Sequence, residues 1–429
     1  MQRSEPRPSS NPSFRVAIVG AGPGGLTLAQ GLRRHGIEVA VFERSRVRDD
    51  YVQGFRLRIR ERGIQALRAC LPEPLYEAFE ATTGRSPIAS VNLDEHLRPV
   101  VDAQRADPLP GDVDDAHAGK SVSRITLRQV LLSGLEEQIH YGADFERYVL
   151  EANNTVSLRF KDGSTFNADI MVGADGANSR VRQQLLPHAR VLDTGVRRLA
   201  GKISLEEASA RGLLPLFFEK QVSIRPCGEL GHGLSISAHR VDADAYRALG
   251  LIGGDDEAHR AIEGLHFSNT TSYLWWNTAF RRNELAPDSV LEQADGAQLL
   301  ELLTSHLRDW HPEILKLLRH SHPSTVAMLK VRSSEPPEPW VTGRVTLLGD
   351  AIHSMTYFRA LGGNTAIFDA GLLTRELVSV VLQGKPLLSA LQDYERAMQD
   401  HGFAAVRLSL QALERSLGVA THSVSPALT

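Results

Sequence analysis

The sequence predicts an α/β protein: one discontinuous doubly wound domain, an antiparallel sheet inserted into it, and C-terminal helices. Three observations support this prediction. A short apolar strand, a glycine-rich turn and a helix open the chain over residues 14–36, as in a parallel strand–helix–strand unit. Comparable strand endings return near residues 172 and 348. Much of the chain between these endings shows the alternating pattern of half-exposed antiparallel strands.

The first elements form a βαβ unit. Residues 14–19 are apolar and β-branched, as expected for a buried parallel strand. Apolar residues at helical spacing predict a helix that ends near Gly36, and a second apolar strand covers residues 38–42.

The turn between the first strand and the helix indicates a ligand. Gly20 allows a tight turn, Gly22 allows a pyrophosphate to approach the backbone, and Gly25 allows the helix to pack closely on the strand. Glu43 ends the second strand, where such units bind a ribose hydroxyl. A glycine-rich turn alone is often only structural. The complete context favours a dinucleotide whose phosphates lie at the helix N-terminus.

Two aspartates repeat the same placement later in the chain. Asp175 follows the predicted strand 169–172, and Asp350 follows the predicted strand 344–348. Open α/β sheets bind ligands at the carboxyl ends of their strands, although either aspartate alone is equally expected as a helix cap. The recurrence of this placement favours one shared site.

Other segments complete the predicted organisation. Helices are expected over residues 61–82, with a break at Pro72 and Pro74, and from about Ile125 to Gln138. Further helices are expected near 288–306 and 311–320, and a long helical tail over about 364–418 with a break at Pro386. The predicted boundaries are a disordered tail at 1–13, a doubly wound domain of 14–84, 120–194 and 336–385, an inserted domain of 85–119 and 195–335, and a helical segment at 386–429.

Composition excludes several classes of protein. A net charge of −3 argues against nucleic-acid partners, and no apolar run reaches the length needed for stable membrane insertion. Cys70 and Cys227 form neither a metal motif nor a disulfide framework, so we expect no metal site and a cytoplasmic location. We interpret the arginine cluster of residues 56–62 mainly as a solvated strand edge.

The motifs at residues 20–25, 173–182 and 349–366 resemble, in order and spacing, those of the FAD-dependent aromatic-hydroxylase-type monooxygenases. This is the group A of flavoprotein monooxygenases, related to para-hydroxybenzoate hydroxylase and salicylate hydroxylase, and the resemblance covers about residues 14–400. It implies a Rossmann-like FAD-binding domain with an inserted substrate domain. It also implies that NADH or NADPH reduces non-covalent FAD, that O2 adds at flavin C4a, and that the hydroperoxide hydroxylates an aromatic or polyketide-like molecule, as in secondary metabolism.

The resemblance also implies which residues bind FAD. The glycine loop would cradle the pyrophosphate, Glu43 and Arg44 would lie at the adenosine end, and Arg124 would reach the flavin side. Asp175 would contact both FAD and NAD(P)H, and Asp350 would contact the ribityl or pyrophosphate region. The helix opened by residues 362–364 would face the flavin pyrimidine ring and stabilise its negative charge when reduced. The implied set is Gly20, Ala21, Gly22, Pro23, Gly24, Gly25, Glu43, Arg44, Arg124, Asp175, Gly349, Asp350, Gly362, Gly363 and Asn364.

The candidate catalytic residues are Tyr357, Arg359 and His353. Tyr357 stands where the family usually has proline, and Arg359 where it usually has glycine. Near the flavin edge, the phenol would donate a hydrogen bond and the guanidinium would stabilise anionic reduced flavin. The alternatives are that Tyr357 packs in the protein, that Arg359 faces solvent, and that His353 is structural rather than an acid–base group.

Some interpretations stay open at this stage. Of Trp275 and Trp276, only one is expected to face inward on an alternating strand, as cavity lining or as plain core. We expect the substrate between the inserted sheet and the flavin, in a monomer or homodimer. Alternatives to hydroxylation are a flavin epoxidase, an antibiotic-modifying monooxygenase, and a flavin-binding protein without turnover.

Overall fold

The computed structural model describes residues 14–46, 56–87, 89–100, 119–226, 233–241 and 272–417. The predicted tail at 1–13, Cys227 and the end of the predicted C-terminal segment lie outside these residues. In the part of the chain so described, no helix has both the length and the apolar character required to cross a bilayer.

The strands are β1 (Arg15–Val19), β2 (Glu38–Glu43), β3 (Arg56–Ile59), β4 (Ser90–Leu93), β5 (Lys120–Ser123), β6 (Ile139–Tyr141), β7 (Phe145–Leu150), β8 (Val156–Phe160), β9 (Thr165–Ala168), β10 (Ile170–Gly173), β11 (Val191–Ser204), β12 (Gln221–Ile224), β13 (Leu234–His239), β14 (Tyr273–Arg281), β15 (Ala327–Ser334) and β16 (Val345–Leu347). The helices are α1 (Pro23–Arg34), α2 (Glu61–Cys70), α3 (Glu73–Ala81), α4 (Arg124–Leu132), α5 (Arg180–Leu185), α6 (Leu205–Ala210), α7 (Pro215–Glu219), α8 (Asp288–Leu291), α9 (Gly296–His306), α10 (Pro312–Arg319), α11 (Asp350–His353), α12 (Gly362–Gln383) and α13 (Leu387–Leu417).

A parallel sheet of order β16-β10-β1-β2-β6 forms the centre of the larger core. Its strands are buried apolar runs because helices cover them, as is usual for parallel sheets. From β1 the chain moves through α1 to β2 on one side, whereas β10 pairs with β1 on the other side. This change of direction is a topological switch point, where open α/β sheets bind ligands.

A second sheet has the order β15-β11-β14-β13-β12-β4. Its pairings are antiparallel, except that β4 runs parallel to β12. One face, which includes Leu199, Ile236 and Trp276, packs in a separate apolar core with helices α6 to α10. The indole N–H of Trp276 donates to the Ser321 hydroxyl at 2.7 Å, so this tryptophan is core. The predicted α/β fold class with an antiparallel sheet is confirmed.

Two expectations from the sequence were wrong in detail. Helix α4 ends at Leu132 rather than near Gln138, because Gly134 takes a φ of +78° that interrupts the helix. The alternating strands were expected to be half-exposed, yet the second face of their sheet is also covered. His239 on β13 is 1% exposed and Tyr273 on β14 is 3% exposed.

Two smaller sheets complete the fold. Strands β3 and β5 form an antiparallel ribbon, and β7, β8 and β9 form a three-stranded antiparallel sheet. The ribbon covers the second face of the large antiparallel sheet, where Ser121 on β5 lies 3.3 Å from the His239 ring and Arg56 on β3 donates to Ser237 at 3.3 Å. It therefore connects the parallel sheet region with the inserted sheet.

Candidate FAD and substrate site

The glycine loop after β1 has the shape of a phosphate cradle. Gly20 has a φ of +109°, and a Cβ there would lie 2.4 Å from the Ala174 carbonyl oxygen. A Cβ at Gly25 would lie 2.2 Å from the Gly20 oxygen, so both positions require glycine. A Cβ at Gly22, in contrast, would meet no described heavy atom within 4 Å. The loop thus leaves open space at the N-terminus of α1, whose first N–H groups suit a pyrophosphate.

Glu43 fixes the position of this loop. Its two carboxylate oxygens accept hydrogen bonds from the N–H groups of Ala21 and Ser45, both at 2.9 Å. The carboxylate is half-buried beside the glycine loop, and the neighbouring Arg44 is exposed. Because carboxylate oxygens have further lone pairs, Glu43 retains the capacity to accept from ribose hydroxyls.

One carboxylate oxygen of Asp175 has a structural role, and the other has no hydrogen-bond partner among the described residues. Its Oδ2 accepts from the backbone N–H of Arg180 at 2.8 Å and of Val181 at 3.3 Å, which caps α5. Its Oδ1 is buried and has no hydrogen-bond partner among the described residues. Burial raises the pKa of this carboxyl. A buried acceptor without a partner is uncommon, and a ligand donor at this strand end would satisfy it.

Asp350 is exposed, although the residues of β16 that precede it are buried. Its carboxylate interacts electrostatically with Arg124 at the start of α4. A Cβ at Gly362 would lie 3.7 Å from the Asp350 carboxylate. Two distant parts of the sequence, one around Arg124 and one over residues 350–362, therefore meet at an accessible carboxylate, as an open cleft between them requires.

Two buried arginines that sequence reasoning did not assign stabilise these loops. Arg182 is 5% exposed and donates to the carbonyl of Ala177 at 3.0 Å and that of Ala351 at 2.9 Å. Arg128 is 3% exposed and donates to the Ala21 carbonyl at 3.2 Å. Arg182 thus connects the second motif with the third. The only signal in the sequence was its position within the second motif.

Helix α12 begins beside this cleft, and Asn364 holds its first turn in place. The Asn364 Oδ1 accepts from the N–H of Arg60 at 2.7 Å. Its Nδ2 donates to the carbonyls of Arg58 at 2.7 Å and Ala360 at 3.0 Å. The Asn364 side chain therefore binds protein backbone, and a ligand at this helix end would meet main-chain N–H groups, including those of Gly362 and Gly363.

The segment before α12 has an unusual backbone. Arg359 has a φ of +67° and Ala360 a φ of +52°, in the left-handed region that favours glycine. Tyr357 stacks on Phe358 with ring centres 4.5 Å apart, and the Arg198 guanidinium lies 4.3 Å from the Tyr357 ring centre. Burial raises the pKa of Tyr357 to about 12, so its phenol stays protonated at neutral pH. These contacts favour the packing role for Tyr357.

His353 is fully buried behind Asp350. Its Nε2 donates to Asp369 at 2.7 Å, and His401 donates to the other Asp369 oxygen at 2.7 Å. Asp369 also accepts from the N–H of Gly349 at 2.8 Å. Although burial opposes the charge, Asp369 raises the pKa of His353. This network favours the structural alternative for His353.

The second face of the inserted sheet is polar. We call it the polar face and define it by Arg198, Lys202, Ser237, His239, Tyr273, Trp275 and Asn277, which alternate along β11, β13 and β14 with the core residues. The Arg56 guanidinium lies 5.0 Å from the Trp275 ring centre. The interpretation of Arg56 as part of a solvated edge was therefore wrong, because the ribbon turns this side chain toward the covered face. Of the two tryptophans, Trp276 is core and Trp275 belongs to the polar face.

Among the described residues, no group of three or more histidine, cysteine, aspartate or glutamate side chains has the arrangement of a metal site. Cys70 is buried, and its thiol contacts the Thr374 hydroxyl at 3.7 Å. Burial raises the pKa of this thiol to about 11, which keeps it unreactive.

A glycine cradle at a topological switch point, with carboxylates at three strand ends, defines a dinucleotide-binding protein of the doubly wound class. The chain matches the FAD binding domain family over residues 13–69 and 314–409. It is 31% identical to a protein of Photorhabdus luminescens assigned as an FAD-containing monooxygenase, with a TM-score of 0.78 over 94% of this chain and 99% of that chain. The chain belongs to the family of FAD-dependent monooxygenases.

Two relatives extend this comparison. The chain is 26% identical to an FAD-dependent monooxygenase of Trichoderma harzianum, over 94% of each protein. It is 29% identical to a dual O-methyltransferase/FAD-dependent monooxygenase of Cercospora beticola, over 90% of this chain and 44% of that protein. The chain thus spans less than half the length of this second relative.

Proposed function

We propose that this chain is an FAD-dependent monooxygenase that uses NADH or NADPH and O2 to hydroxylate an aromatic or polyketide-like molecule. The observation that supports this most is the arrangement of the cleft. The FAD cradle opens at the switch point, and the polar face of the inserted sheet is joined to the same region by the β3–β5 ribbon and by Tyr357. Ligand pockets favour such domain interfaces.

The proposed roles of the residues follow from their positions. When bound, FAD supplies the redox chemistry and the activation of O2. The loop at residues 20–25 holds the phosphates, and Glu43 accepts from the adenosine ribose. Arg124 and Asp350 orient the middle of the cofactor, and the N-terminus of α12 stabilises negative charge beside it. The buried polar face binds the substrate and excludes water.

A turnover assay tests the activity. FAD-loaded protein is mixed with NADH or NADPH, and nucleotide oxidation, O2 consumption and product mass are followed with and without aromatic compounds. We expect an aromatic compound to stimulate oxidation and to gain one oxygen atom, labelled when 18O2 is used. The form of the product distinguishes hydroxylation from epoxidation. FAD that neither nucleotide reduces, with any compound present, would instead indicate a flavin-binding protein without turnover.

A binding measurement tests the cofactor residues separately. Glu43→Ala removes the acceptor for the ribose and for two backbone N–H groups, so we expect FAD to bind about 10–100-fold more weakly. Glu38→Ala is a matched control, because Glu38 lies at the other end of the same strand and pairs with Arg15 on the surface. Titration of the deflavinated protein with FAD measures both. Equal affinities for the two variants would show that Glu43 does not hold the cofactor.

A further inference from the structure

The polar face carries positive charge away from bulk solvent. The Arg56 guanidinium lies over the Trp275 ring, the Lys202 ammonium lies 5.0 Å from the Tyr273 ring centre, and Arg198 lies over Tyr357. Burial lowers the pKa of Arg56 to about 10 and that of Lys202 to about 8. Both groups therefore remain largely charged at neutral pH, with aromatic rings as their neighbours.

No carboxylate of the described chain forms an ion pair with Arg56 or Arg198. The Arg56 guanidinium donates hydrogen bonds to the hydroxyl groups of Ser86 and Ser237, which carry no charge. Buried charges in proteins are normally paired, because removing an ion from water is costly. Two half-buried guanidinium groups without a carboxylate therefore indicate an anion that comes from outside the chain.

The neighbouring Arg197 shows how this protein compensates an arginine with a structural role. Arg197 is on the same strand as Arg198 but points to the opposite side of the sheet, where it is 1% exposed. It donates to Asp193 at 2.8 Å and to Asp288 at 2.6 Å. One residue further along, Arg198 has no equivalent partner among the described residues. The two adjacent arginines thus differ in their carboxylate partners. Within the described chain, Arg197 is paired, as expected for a structural residue, and Arg198 is not, as expected for a residue that binds a ligand.

Several buried polar atoms on the same face also lack partners in the described chain. They are the Tyr273 hydroxyl, His239 Nε2, Trp275 Nε1 and Arg198 Nε. Tyr273 and His239 are more than nine-tenths buried. Burial lowers the pKa of His239 to about 3, helped by the Arg56 and Lys202 charges, so this imidazole is neutral. Buried donors and acceptors are usually satisfied, and here a ligand would satisfy them.

The spacing of the cations indicates a ligand larger than one benzene ring. Arg198 and Lys202 are four residues apart on one face of β11, which corresponds to roughly 13 Å. The small Ala200 lies between them, and Asn277 is its neighbour on β14. The ring of Trp275 is available for stacking near the Lys202 end.

We propose that the polar face binds the substrate as an anion: a planar, multi-ring aromatic that carries an ionised carboxylate or an acidic phenol. Arg198 and Arg56 lie toward opposite ends of the ligand, where one of them binds the ionised group and the other binds a further ligand oxygen. Tyr273 and His239 hydrogen-bond to the remaining oxygen atoms. This inference rests on the proposed function, because it gives the substrate class of the same site. Phosphates of the nicotinamide nucleotide are the other source of negative charge, and the experiment distinguishes the two.

Calorimetry with FAD-loaded enzyme near neutral pH tests the inference with two probes that differ by one carboxylate. These are 3-hydroxy-2-naphthoate, which is an anion, and 2-naphthol, which is neutral. We expect the naphthoate to bind at least about tenfold more tightly in the unaltered enzyme. Equal affinity for the two probes would overturn the proposal. This comparison requires no variant.

Variants then locate the charge that is responsible. At least one of Arg198→Gln and Arg56→Gln is expected to weaken naphthoate binding about tenfold while leaving 2-naphthol nearly unchanged. If neither variant weakens naphthoate binding, the proposal is wrong. Arg198→Lys keeps the charge and should retain most of the selectivity. Arg159→Gln, on the exposed side of β8, is the matched control and should change neither affinity. FAD content and the melting temperature confirm folding.

The remaining outcomes separate the two proposals. If Arg198→Gln weakens NADH or NADPH binding but not naphthoate binding, the face is a nucleotide site and the inference is wrong. If the naphthoate binds as expected but no aromatic compound supports oxygen transfer, the proposed function fails and the inference stands. If turnover occurs with neutral and anionic compounds that bind equally well, the inference alone fails.

Discussion

Arg359 shows how one residue departs from the pattern its family resemblance suggests. Its family position usually holds glycine, and the structure gives the reason, because the backbone there has a φ of +67°. An L-residue in this conformation carries strain of roughly 1–2 kcal/mol. The Arg60 guanidinium donates to the Arg359 carbonyl at 2.9 Å, and Asn364 donates to the next carbonyl. These contacts hold the strained turn in place.

A pair of substitutions at this position measures the strain. Arg359→Gly and Arg359→Ala both remove the side chain, but only glycine adopts the positive φ without strain. We expect the glycine variant to be more stable than the alanine variant by roughly 0.5–1 kcal/mol, after the greater flexibility of unfolded glycine is subtracted. Thermal unfolding of the FAD-loaded proteins compares the two.

The control for this measurement is the same pair of substitutions at Arg159. This residue lies on β8 in extended backbone, so glycine should there be less stable than alanine. The opposite sign at the two positions is the expected result. A glycine variant at position 359 that melts below the alanine variant would show that the turn is not strained.

At the residue scale, the sequence predicts glycines better than charged groups. The requirement for glycine at positions 20 and 25 follows from the local geometry of the turn, which the strand–turn–helix pattern in the sequence already indicates. The contrast between Arg197 and Arg198 depends on strand alternation and on Asp288, a residue far along the chain. The tertiary structure determines which arginine has a carboxylate partner. The sequence alone therefore does not distinguish the role of Arg197 from that of Arg198.

At the scale of elements, Asp369 joins three helices. Its carboxylate on α12 accepts from His353 on α11, from His401 on α13 and from the backbone of Gly349. A Cβ at Gly402 would lie 2.5 Å from the His353 ring, so α13 packs directly on this histidine. The network holds the start of α11, and with it Asp350, against the two long helices.

Replacing His353 tests this network through its pH dependence. His353→Leu removes one donor to a buried carboxylate and should destabilise the protein by about 1.5–3 kcal/mol. Because Asp369 raises the pKa of His353, the stabilisation is fully present below the ordinary histidine pKa of about 6.5 and is lost as pH rises through the higher folded-state value. The difference in melting temperature between variant and parent should therefore shrink as the pH rises above about 6.5.

His188→Leu is the matched control, because His188 is exposed. The His188→Leu substitution should change the melting temperature only slightly, and this change should not shrink as the pH rises. A difference for His353→Leu that grows with pH would contradict the assigned ion pair. Element boundaries are harder to predict from the sequence than the elements themselves. Helix α4, for example, ends early because of the backbone conformation of Gly134, which the periodicity of apolar residues does not indicate.

At the scale of the whole molecule, two large apolar cores lie on either side of a polar layer, and a third, smaller cluster packs the end of α13 against β11, β14 and β15. One core surrounds the parallel sheet, and the other joins the inserted sheet to helices α6 to α10. Alternation in the sequence predicted the apolar and polar faces of the inserted strands. It did not predict that the polar face is covered, because the cover comes from the ribbon formed by residues 56–59 and 120–123. Local periodicity contains no information about such long-range packing.

This two-core arrangement predicts where FAD changes local stability. A ligand that binds only the native state lowers the population of open states at the segments it contacts. We expect FAD added to deflavinated protein to slow amide hydrogen exchange in the segments around residues 20–25, 43–45, 124–128 and 349–364. Helices α9 and α10 belong to the other core and should exchange at nearly the same rate with and without FAD. Mass-spectrometric peptide maps compare the two states, and α9 and α10 serve as the internal reference. Protection confined to these two helices would place the cofactor on the wrong side of the polar layer and would exclude the cradle at the switch point.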